Sequence, residues 1–339
     1  MRRLVFVTQR IDPVHPVLGS TLVKVRALAE HVDELVVLAA AVVPGSLPRN
    51  CRARTFAAPT QALRGARFVA ALARELVPRP IAVLAHMSPI YARLAAPLAR
   101  PLGVPVLLWY TQWRTNPLLE RTERVVSAVL TADPHSFPFA SEKVRVIGHG
   151  IDVGEFACSE PAPSPRLRLL ALGRYSPVKG YETLVRAAAV RDVELAIHGS
   201  LETPADGEER AALERLVAEL GAPVTVGGPV PRGEVPALLS TCDALVSNTR
   251  GAADKVVYEA AAACRPAFAS APAFADLLPG ELRFPTDDHG ALAARWDAFA
   301  ALEANARSEL GRDLRRRVEE GHSVERWADQ VLAAAAALR

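Results

Sequence analysis

The sequence predicts an α/β protein of two Rossmann-like, doubly wound domains that face each other across a cleft. Two observations predict this fold class. Short Val- and Leu-rich runs alternate with amphipathic helical stretches along the 339 residues, as is typical of βαβ units and parallel sheets. A proline-rich segment at 159–165 interrupts the alternation, which then begins again.

The first domain is predicted over residues 1–158. Its strands are apolar runs short enough for buried strands, and its helices repeat apolar residues every three or four positions. The predicted strands are Leu4–Val7, Leu35–Leu38, Ile81–Ala85, Val104–Trp109 and Val144–Ile147, and the predicted helices are Thr21–Val32, Leu63–Leu76, Ile90–Leu102 and Leu118–Ala128.

The linker is predicted at 159–165, because its three prolines cannot continue a helix or a central strand. The second domain, 166–322, repeats the pattern of the first. Residues 323–339 are predicted as a C-terminal helix that is capped by Ser323 and can cross back to the first domain. The predicted strands are Leu167–Leu172, Val193–Ile197, Val224–Val226, Ala244–Val246, Ala267–Ser270 and Leu282–Phe284, and the predicted helices are Tyr181–Val190, Glu208–Leu220, Val235–Thr241, one from Lys255, and Ala291–Ala300.

Composition narrows the class of protein. Half of the residues are hydrophobic and the formal net charge is +3, so a disordered chain is excluded and a nucleic-acid partner is not expected. No apolar segment reaches the roughly 20 residues that span a bilayer, and the amino-terminal apolar run lacks a cleavage site. The four cysteines are far apart, so we expect reduced thiols in a cytoplasmic protein: Cys51, Cys158, Cys242 and Cys264.

The stretch Ser247–Ser270 is the first candidate for chemistry. A strand there leads into a loop with Gly and Asn and then into a helix, so free N–H groups of the helix start lie at the carboxyl end of a strand. This arrangement suits a phosphate. Glu259 lies among apolar residues of the helix and needs a polar partner. Two alternatives are open: an ion pair with an Arg from a neighbouring element, or hydrogen bonds from a ligand diol such as a ribose.

The stretch LLALGRYSPVKG is the second candidate. The strand ends at Gly173, which lets the backbone approach a ligand, and Arg174 and Lys179 follow before the next helix. Two positive charges at the carboxyl edge of a strand fit a diphosphate. The alternative is that both are solvated loop charges, although lysine is rare in this chain and Lys179 therefore carries more weight.

Four segments together resemble a known family. GRYSPVKG is preceded by IGHGID and followed by HGS and by DKVVYEAAAACRPAFAS, and in this order they resemble a retaining glycosyltransferase of the GT-B fold, glycosyltransferase family 4. The resemblance covers essentially the whole chain. It implies transfer of a sugar from a nucleotide-sugar donor to a hydroxyl acceptor, which can be a small molecule, a glycan or a lipid-linked molecule, with retention and without a metal or other cofactor.

The resemblance also implies site residues. Arg174 and Lys179 match cations that bind the donor diphosphate, Glu259 matches the acid that holds the ribose hydroxyls, and His86 matches a polar residue that faces the acceptor. The implied donor-binding residues are Gly19, Gly173, Gly199, Gly251, Ala252, Asp254, Lys255, Val256 and Glu259, and the implied catalytic residues are Arg174, Lys179, His86 and Gln112.

The chain departs from the family pattern at two positions. Gly251 stands where the first Glu of a paired motif is expected, and Gln112 stands where a His is expected. Asp254 and Lys255 are candidates to compensate for the missing Glu. The alternative for Asp254 is a helix N-cap.

Other functions stay open at this point. A nucleotide-sugar epimerase uses the same fold, and a non-catalytic partner would keep nucleotide binding without transfer. Hydrolysis by two carboxylates or by zinc is disfavoured, since no such pair or His/Cys cluster is present. The segment 286–289, Thr-Asp-Asp-His, favours helix capping over a metal site.

Contact with a membrane surface is a further possibility. The predicted helix at 63–76 is basic and amphipathic, as in transferases with lipid-linked acceptors, although its apolar face is also suited to packing on the sheet. Peripheral association with the inner face of a membrane is therefore considered beside a cytoplasmic location. The basic residues concerned are Arg64, Arg67, Arg74 and Arg79.

Overall fold

The computed structural model describes residues 1–15, 18–251 and 253–339. The chain divides into two compact units, Met1–Gly150 with His322–Arg339, and Ile151–Gly321. The predicted boundary after residue 158 is therefore too late. The reason is that Ile151 and Phe156 are buried in the core of the second unit. The C-terminal segment belongs to the first unit, and Ser323 caps its last helix by accepting a hydrogen bond from the Arg326 N–H at 3.4 Å.

The first unit is built on a parallel sheet. In chain order its elements are β1 (Arg3–Ile11), α1 (Ser20–Glu30), β2 (Glu34–Val42), β3 (Cys51–Thr55), α2 (Gln61–Glu75), β4 (Ala82–His86), α3 (Pro89–Ala99), β5 (Val106–Trp109), α4 (Pro117–Glu123), β6 (Ala128–Thr131) and β7 (Val144–Val146). Among the described residues the sheet has seven strands in the order β3-β2-β1-β4-β5-β6-β7. The order reverses next to β1, as in a doubly wound sheet.

Helices cover both faces of this sheet. The helix α1 packs on one face with the C-terminal helix, whose Trp327 is fully buried and meets Trp109 edge to face at 5.5 Å. The helices α2 and α3 cover the other face, where α2 buries Phe68 and Leu72. The apolar face of α2 thus packs on its own sheet, as one of the two alternatives predicted. Arg67 and Arg74 are exposed on this helix, and Arg64 is half-buried. In the part of the chain that the structure describes, no helix is long and apolar enough to cross a membrane.

The second unit repeats the plan with a smaller sheet. Its elements are β8 (Leu167–Leu172), α5 (Tyr181–Ala188), β9 (Val193–His198), α6 (Pro204–Leu220), β10 (Val224–Gly227), α7 (Val235–Ser240), β11 (Ala244–Ser247), α8 (Lys255–Ala262), β12 (Ala267–Ala269), α9 (His289–Ala300) and α10 (Ala304–His322), and α11 (Val324–Ala337) is the C-terminal helix of the first unit. In the part of this unit that the structure describes, the sheet has five parallel strands in the order β10-β9-β8-β11-β12. The prediction of two α/β units with parallel sheets is confirmed.

Three details differ from the predicted elements. The edge strand β3 was not predicted, because its sequence CRART is polar and most of its residues are exposed. The strand β6 was not predicted either, since the helix before it ends at Glu123 instead of continuing to Ala128. The predicted strand Leu282–Phe284 is reduced to a single bridge between Arg283 and Ala269.

Candidate functional site

The loops after β8 and β11 lie together at one edge of the second sheet, because these strands are neighbours. The backbone N–H of Arg250 donates to the Val178 carbonyl at 2.8 Å. The side-chain amide of Asn248 donates to the Gly180 carbonyl at 3.1 Å. The loop 173–180 after β8 therefore contacts the loop after β11, of which the structure describes 248–251 and 253–254. We call these two segments the joined loops.

Lys179 and Asp254 form an ion pair between the joined loops. The other carboxylate oxygen of Asp254 accepts a hydrogen bond from the Ser247 hydroxyl at 2.7 Å. Asp254 occupies the N-cap position of α8, yet its side chain caps no helix N–H. The predicted N-cap position is therefore correct, but no capping hydrogen bond is made to the side chain. Its carboxylate is instead the counter-ion of Lys179.

Gly173 makes room for this pair. A Cβ atom at Gly173 would lie 3.0 Å from Lys179 Cε and 3.0 Å from the Tyr181 hydroxyl. The Tyr181 hydroxyl is buried and has no hydrogen-bond partner among the described residues. Burial raises its pKa, and the charge of Asp254 adds to the effect, so this phenol stays protonated. Gly173 thus lets a cation and a phenol pack against the end of the strand.

Arg174 points to a different acid. Its Nε lies 3.8 Å from Asp206 Oδ1, and nearly half of its side chain is exposed. Burial alone would raise the pKa of Asp206, but hydrogen bonds from the N–H groups of Glu202 and Thr203, together with the charge of Arg174, lower it. Arg174 and Lys179 lie on the same loop, and each is paired with its own carboxylate.

Gly199 has a steric role in the same region. A Cβ atom there would lie 2.2 Å from the Gly173 carbonyl oxygen and 2.9 Å from the ring of Tyr175. Such distances are too short for any side chain, so glycine is required where the loops after β8 and β9 pass each other. The donor-binding role implied for Gly199 stays a prediction.

Glu259 is the buried acid of α8, and it lies in an ion-pair network. Its Oε1 accepts from Arg232 Nη1 at 2.7 Å and contacts Lys255 Nζ at 2.5 Å. Burial would raise the pKa of Glu259, but the charges of Lys255 and Arg232 outweigh it and lower this pKa. Burial lowers the pKa of Lys255, and Glu259 opposes that shift. Of the two alternatives for Glu259, the ion pair with an Arg from a neighbouring element is therefore present. The ribose-binding role stays a prediction.

Among the residues that the structure describes, the other implied donor-binding positions of the second unit make no side-chain contact that bears on a ligand. Gly251 lies in a bend after Arg250, and Val256 is buried in the first turn of α8. Ala252 lies outside the described residues. Sequence analysis missed Asn248 and Arg250, although both are polar residues that follow a buried strand, which is a signal for a site at a sheet edge.

The segment 286–289 caps a helix and makes hydrogen bonds that hold a neighbouring loop. Asp288 Oδ1 accepts from the Ala291 N–H at 2.8 Å and so caps α9, as predicted. Asp287 accepts from Arg250 Nε at 2.7 Å and from Asn248 Nδ2 at 2.8 Å, which ties this segment to the joined loops. Within the ranges that the structure describes, no group of three His, Cys, Asp or Glu side chains could hold a metal.

The predicted side chains of the first unit are themselves uncharged. His86 ends β4, is buried, and stacks on Phe6 with ring centroids 5.6 Å apart. Burial and the charge of Lys24 lower the pKa of His86 well below its usual range, so its ring is uncharged at neutral pH. Gln112 is exposed and accepts a hydrogen bond from the Tyr110 hydroxyl at 3.1 Å. Gly19 precedes α1 with right-handed backbone angles, φ −56° and ψ −34°.

The expectation of four reduced cysteines is wrong. Cys158 and Cys264 form a disulfide, with Cα atoms 5.0 Å apart, and Cys51 and Cys242 are free. The pairing was not visible from the sequence, because 106 positions separate the two residues and only folding of the second unit brings them together. The bond joins the segment that opens the second unit to the end of α8.

Comparisons with known proteins agree with this architecture. Residues 155–281 match the family model described as Glycosyl transferases group 1, and this region contains the joined loops. No curated protein matches the sequence.

Among solved structures, sucrose-phosphate synthase of Thermosynechococcus elongatus is 19% identical with a TM-score of 0.79 and covers 100% of this chain and 99% of its own. HepE of Anabaena in complex with UDP-glucose is 15% identical with a TM-score of 0.78 and covers 99% and 100%. The trehalose-6-phosphate synthase OtsA is 13% identical with a TM-score of 0.74 and covers 98% and 99%.

At these identities the solved structures establish the fold alone, and the family model supports the predicted enzyme class over the region that it matches. The chain therefore has the GT-B fold, and the part of it that carries the joined loops is similar to the group 1 glycosyltransferases.

Proposed function

We propose that the chain transfers a glycosyl group from a nucleotide sugar to a hydroxyl acceptor, with retention and without a metal. The observation that carries the proposal is the Lys179–Asp254 pair on the joined loops, inside the region that matches the glycosyltransferase model. The solved relative HepE binds UDP-glucose, which makes a UDP-sugar the first donor to test.

In the proposed reaction, the bond between the sugar C1 and the diphosphate oxygen breaks, and a bond from C1 to the acceptor oxygen forms. The hydroxyl proton passes to an oxygen of the departing diphosphate, so atoms and charges balance. Negative charge builds on that diphosphate, and Lys179 and Arg174 are the side chains that would neutralise it. Because these cations supply positive charge at the leaving group, the proposal includes no metal.

The counter-ion arrangement has a consequence for this step. Lys179 is paired with Asp254 before any donor binds, so the diphosphate has to share or replace that carboxylate. Asp254 would then be free to accept hydrogen bonds from hydroxyl groups of the donor sugar. This is the proposed compensation for Gly251, which has no side chain to offer.

The remaining predicted residues have distinct parts in the proposal. Glu259 would accept hydrogen bonds from the ribose of the donor. His86 and Gln112 belong to the first unit and are assigned to the acceptor. Since His86 is uncharged, it would hydrogen-bond an acceptor hydroxyl instead of supplying charge.

The test uses the purified chain with UDP-glucose, ADP-glucose and GDP-mannose, each with and without a mixture of sugar and lipid acceptors. The expected result is release of nucleoside diphosphate only with an acceptor, unchanged by EDTA, and a product whose anomeric configuration by NMR equals that of the donor. Conversion of the donor sugar without release would instead indicate an epimerase. A thermal shift by a nucleoside diphosphate, without turnover of any donor, would indicate a non-catalytic binding partner.

Contact with a membrane surface is part of the same proposal. Arg67 and Arg74 are exposed on α2, where they could meet anionic lipid headgroups. Co-sedimentation with vesicles containing anionic lipid, but not with neutral vesicles, would support it. Equal recovery from both would remove lipid surfaces from the proposal.

A further inference from the structure

Arg232 is an interior cation that the sequence analysis did not consider. It begins a 3₁₀ turn, Arg232–Glu234, after β10, and only 11% of its side chain is exposed. Its Nη1 donates to Glu259 Oε1 at 2.7 Å, and its Nη2 donates to Glu155 Oε2 at 2.7 Å. The guanidinium also lies over the ring of Phe156, 5.4 Å from the ring centroid. Two acids and one aromatic ring thus hold it in a single orientation.

The contacts of Glu259 are one-sided. Arg232 and Lys255 both contact Oε1, and Oε2 takes part in neither contact. A carboxylate has about four acceptor sites, so Oε2 can accept further hydrogen bonds while Oε1 stays occupied. The carboxylate is buried and held ionised, which strengthens any hydrogen bond that it accepts.

The two cations do not restrain Glu259 in the same way. Lys255 lies four positions earlier on the same helix, so its contact moves with α8. Arg232 comes from a different element, and its contact sets the carboxylate relative to the end of β10. Glu155 restrains Arg232 in turn, at the start of the second unit.

We propose that Arg232 is a positioning residue that orients Glu259 so that Oε2 meets the diol of the donor ribose. It thereby determines the preference of the site for ribose over 2′-deoxyribose nucleotides. The inference rests on the proposed function, because it needs a nucleotide at this site. Two ribose hydroxyl groups can donate to one carboxylate only when its plane is correctly turned, and Arg232 supplies that constraint.

The experiment measures binding of UDP, ADP and GDP, each beside its 2′-deoxy counterpart, by titration calorimetry on the full chain. The wild type is expected to bind one ribonucleotide about 10-fold more tightly than the deoxy form, as loss of a charged hydrogen bond would cause. Arg232→Met replaces the guanidinium with an apolar, unbranched side chain and should reduce the affinity for the ribonucleotide to nearly that for the deoxy form. Its affinity for the deoxy form should not change.

Four further variants separate orientation from folding. Arg232→Lys should restore part of the preference. In a Glu259→Gln background, which should itself lose the preference, Arg232→Met should have no additional effect. The matched control is Arg191→Met, since Arg191 is also paired with an acid of the second unit, Asp297 at 2.8 Å, and should keep the wild-type ratio.

The following results would contradict the proposed role of Arg232. Equal weakening of ribo and deoxy forms by Arg232→Met would overturn the inference, as would a wild type that binds a nucleotide without preference; the proposed function would survive both. A wild type that binds none of the six nucleotides would overturn the proposed function and the inference together. If Arg232→Met does not fold, Glu155→Gln removes only the outer restraint and must still lower the ribo-to-deoxy ratio for the inference to stand.

Discussion

The two units share one plan of parallel strands and covering helices, but they differ in the polar residues where the strands end. In the second unit the predicted residues are charged and paired, as Lys179 is with Asp254 and Lys255 with Glu259. In the first unit they are an uncharged His86 and an exposed Gln112. The predicted side chains that carry charge therefore lie in the second unit, and those of the first unit are uncharged. The proposed function accordingly assigns the donor diphosphate to the second unit. Four predictions test this contrast.

The largest expected effect concerns Lys179. Lys179→Ala removes a preorganised positive charge from the leaving diphosphate and should lower kcat roughly 10²–10³-fold. Steady-state kinetics with whichever donor is turned over in the test of the proposed function would measure it. Lys143→Ala is the control, because Lys143 donates to the carbonyls of Glu123 and Arg124 in the first unit and should change kcat no more than a few-fold. Turnover of Lys179→Ala within a few-fold of wild type would remove Lys179 from the site.

The second prediction concerns the disulfide of the second unit. Cys158→Ser should lower the free energy of unfolding of this unit by about 2–4 kcal/mol, because the bond closes a long loop and restricts the unfolded chain. Urea unfolding with and without reductant would measure the change, and Cys51→Ser in the first unit serves as control. Four reactive thiols in the denatured, non-reduced wild type would show that the bond does not form.

The third prediction concerns Asp254 and Gly251. Asp254→Ala should lower kcat/KM about 10-fold, since a carboxylate that is hydrogen-bonded to Ser247 and paired with Lys179 is lost. Because Asp254 makes no capping hydrogen bond, the melting temperature should change little. Gly251→Glu should alter the ranking of donors by filling the space beside the loop. An unchanged ranking, with a loss of stability alone for Asp254→Ala, would place donor selection elsewhere.

The smallest expected effect belongs to the first unit. Because burial lowers the pKa of His86 in the folded chain, the unfolded chain binds the extra proton below its usual pKa of about 6.5. Stability should therefore rise with pH in the window below about 6.5, by no more than about 1.4 kcal/mol per pH unit from this residue. Urea unfolding of His86→Asn at several pH values should show a shallower slope, and the exposed His135→Asn should keep it. An imidazole signal of His86 that titrates near 6.5 by NMR would contradict the assignment.

Much of the fold could be predicted from the sequence because it depends on local patterns. The structure contains the predicted elements close to their predicted bounds where the pattern is clear. Examples are the apolar run of the strand Leu167–Leu172 and the helical spacing of apolar residues in Tyr181–Ala188. The prediction failed where local signals were weak. The edge strand β3 has few apolar residues, and the helix before β6 ends without a glycine or proline to mark it.

The candidate site shows the same division. The sequence alone determined that Gly173 and Lys179 lie between a strand and the next helix, and that Glu259 lies on an apolar helix, since residue order and periodicity specify these positions. Only the tertiary structure decided their partners. Lys179 meets Asp254 across 75 positions, and Glu259 meets Arg232 across 27. Such pairs depend on which strands are neighbours in the sheet and on which side chains are buried together. No local pattern encodes that information, because the energy of an ion pair depends on distance in space and on removal from water, and both are set only when the chain has folded.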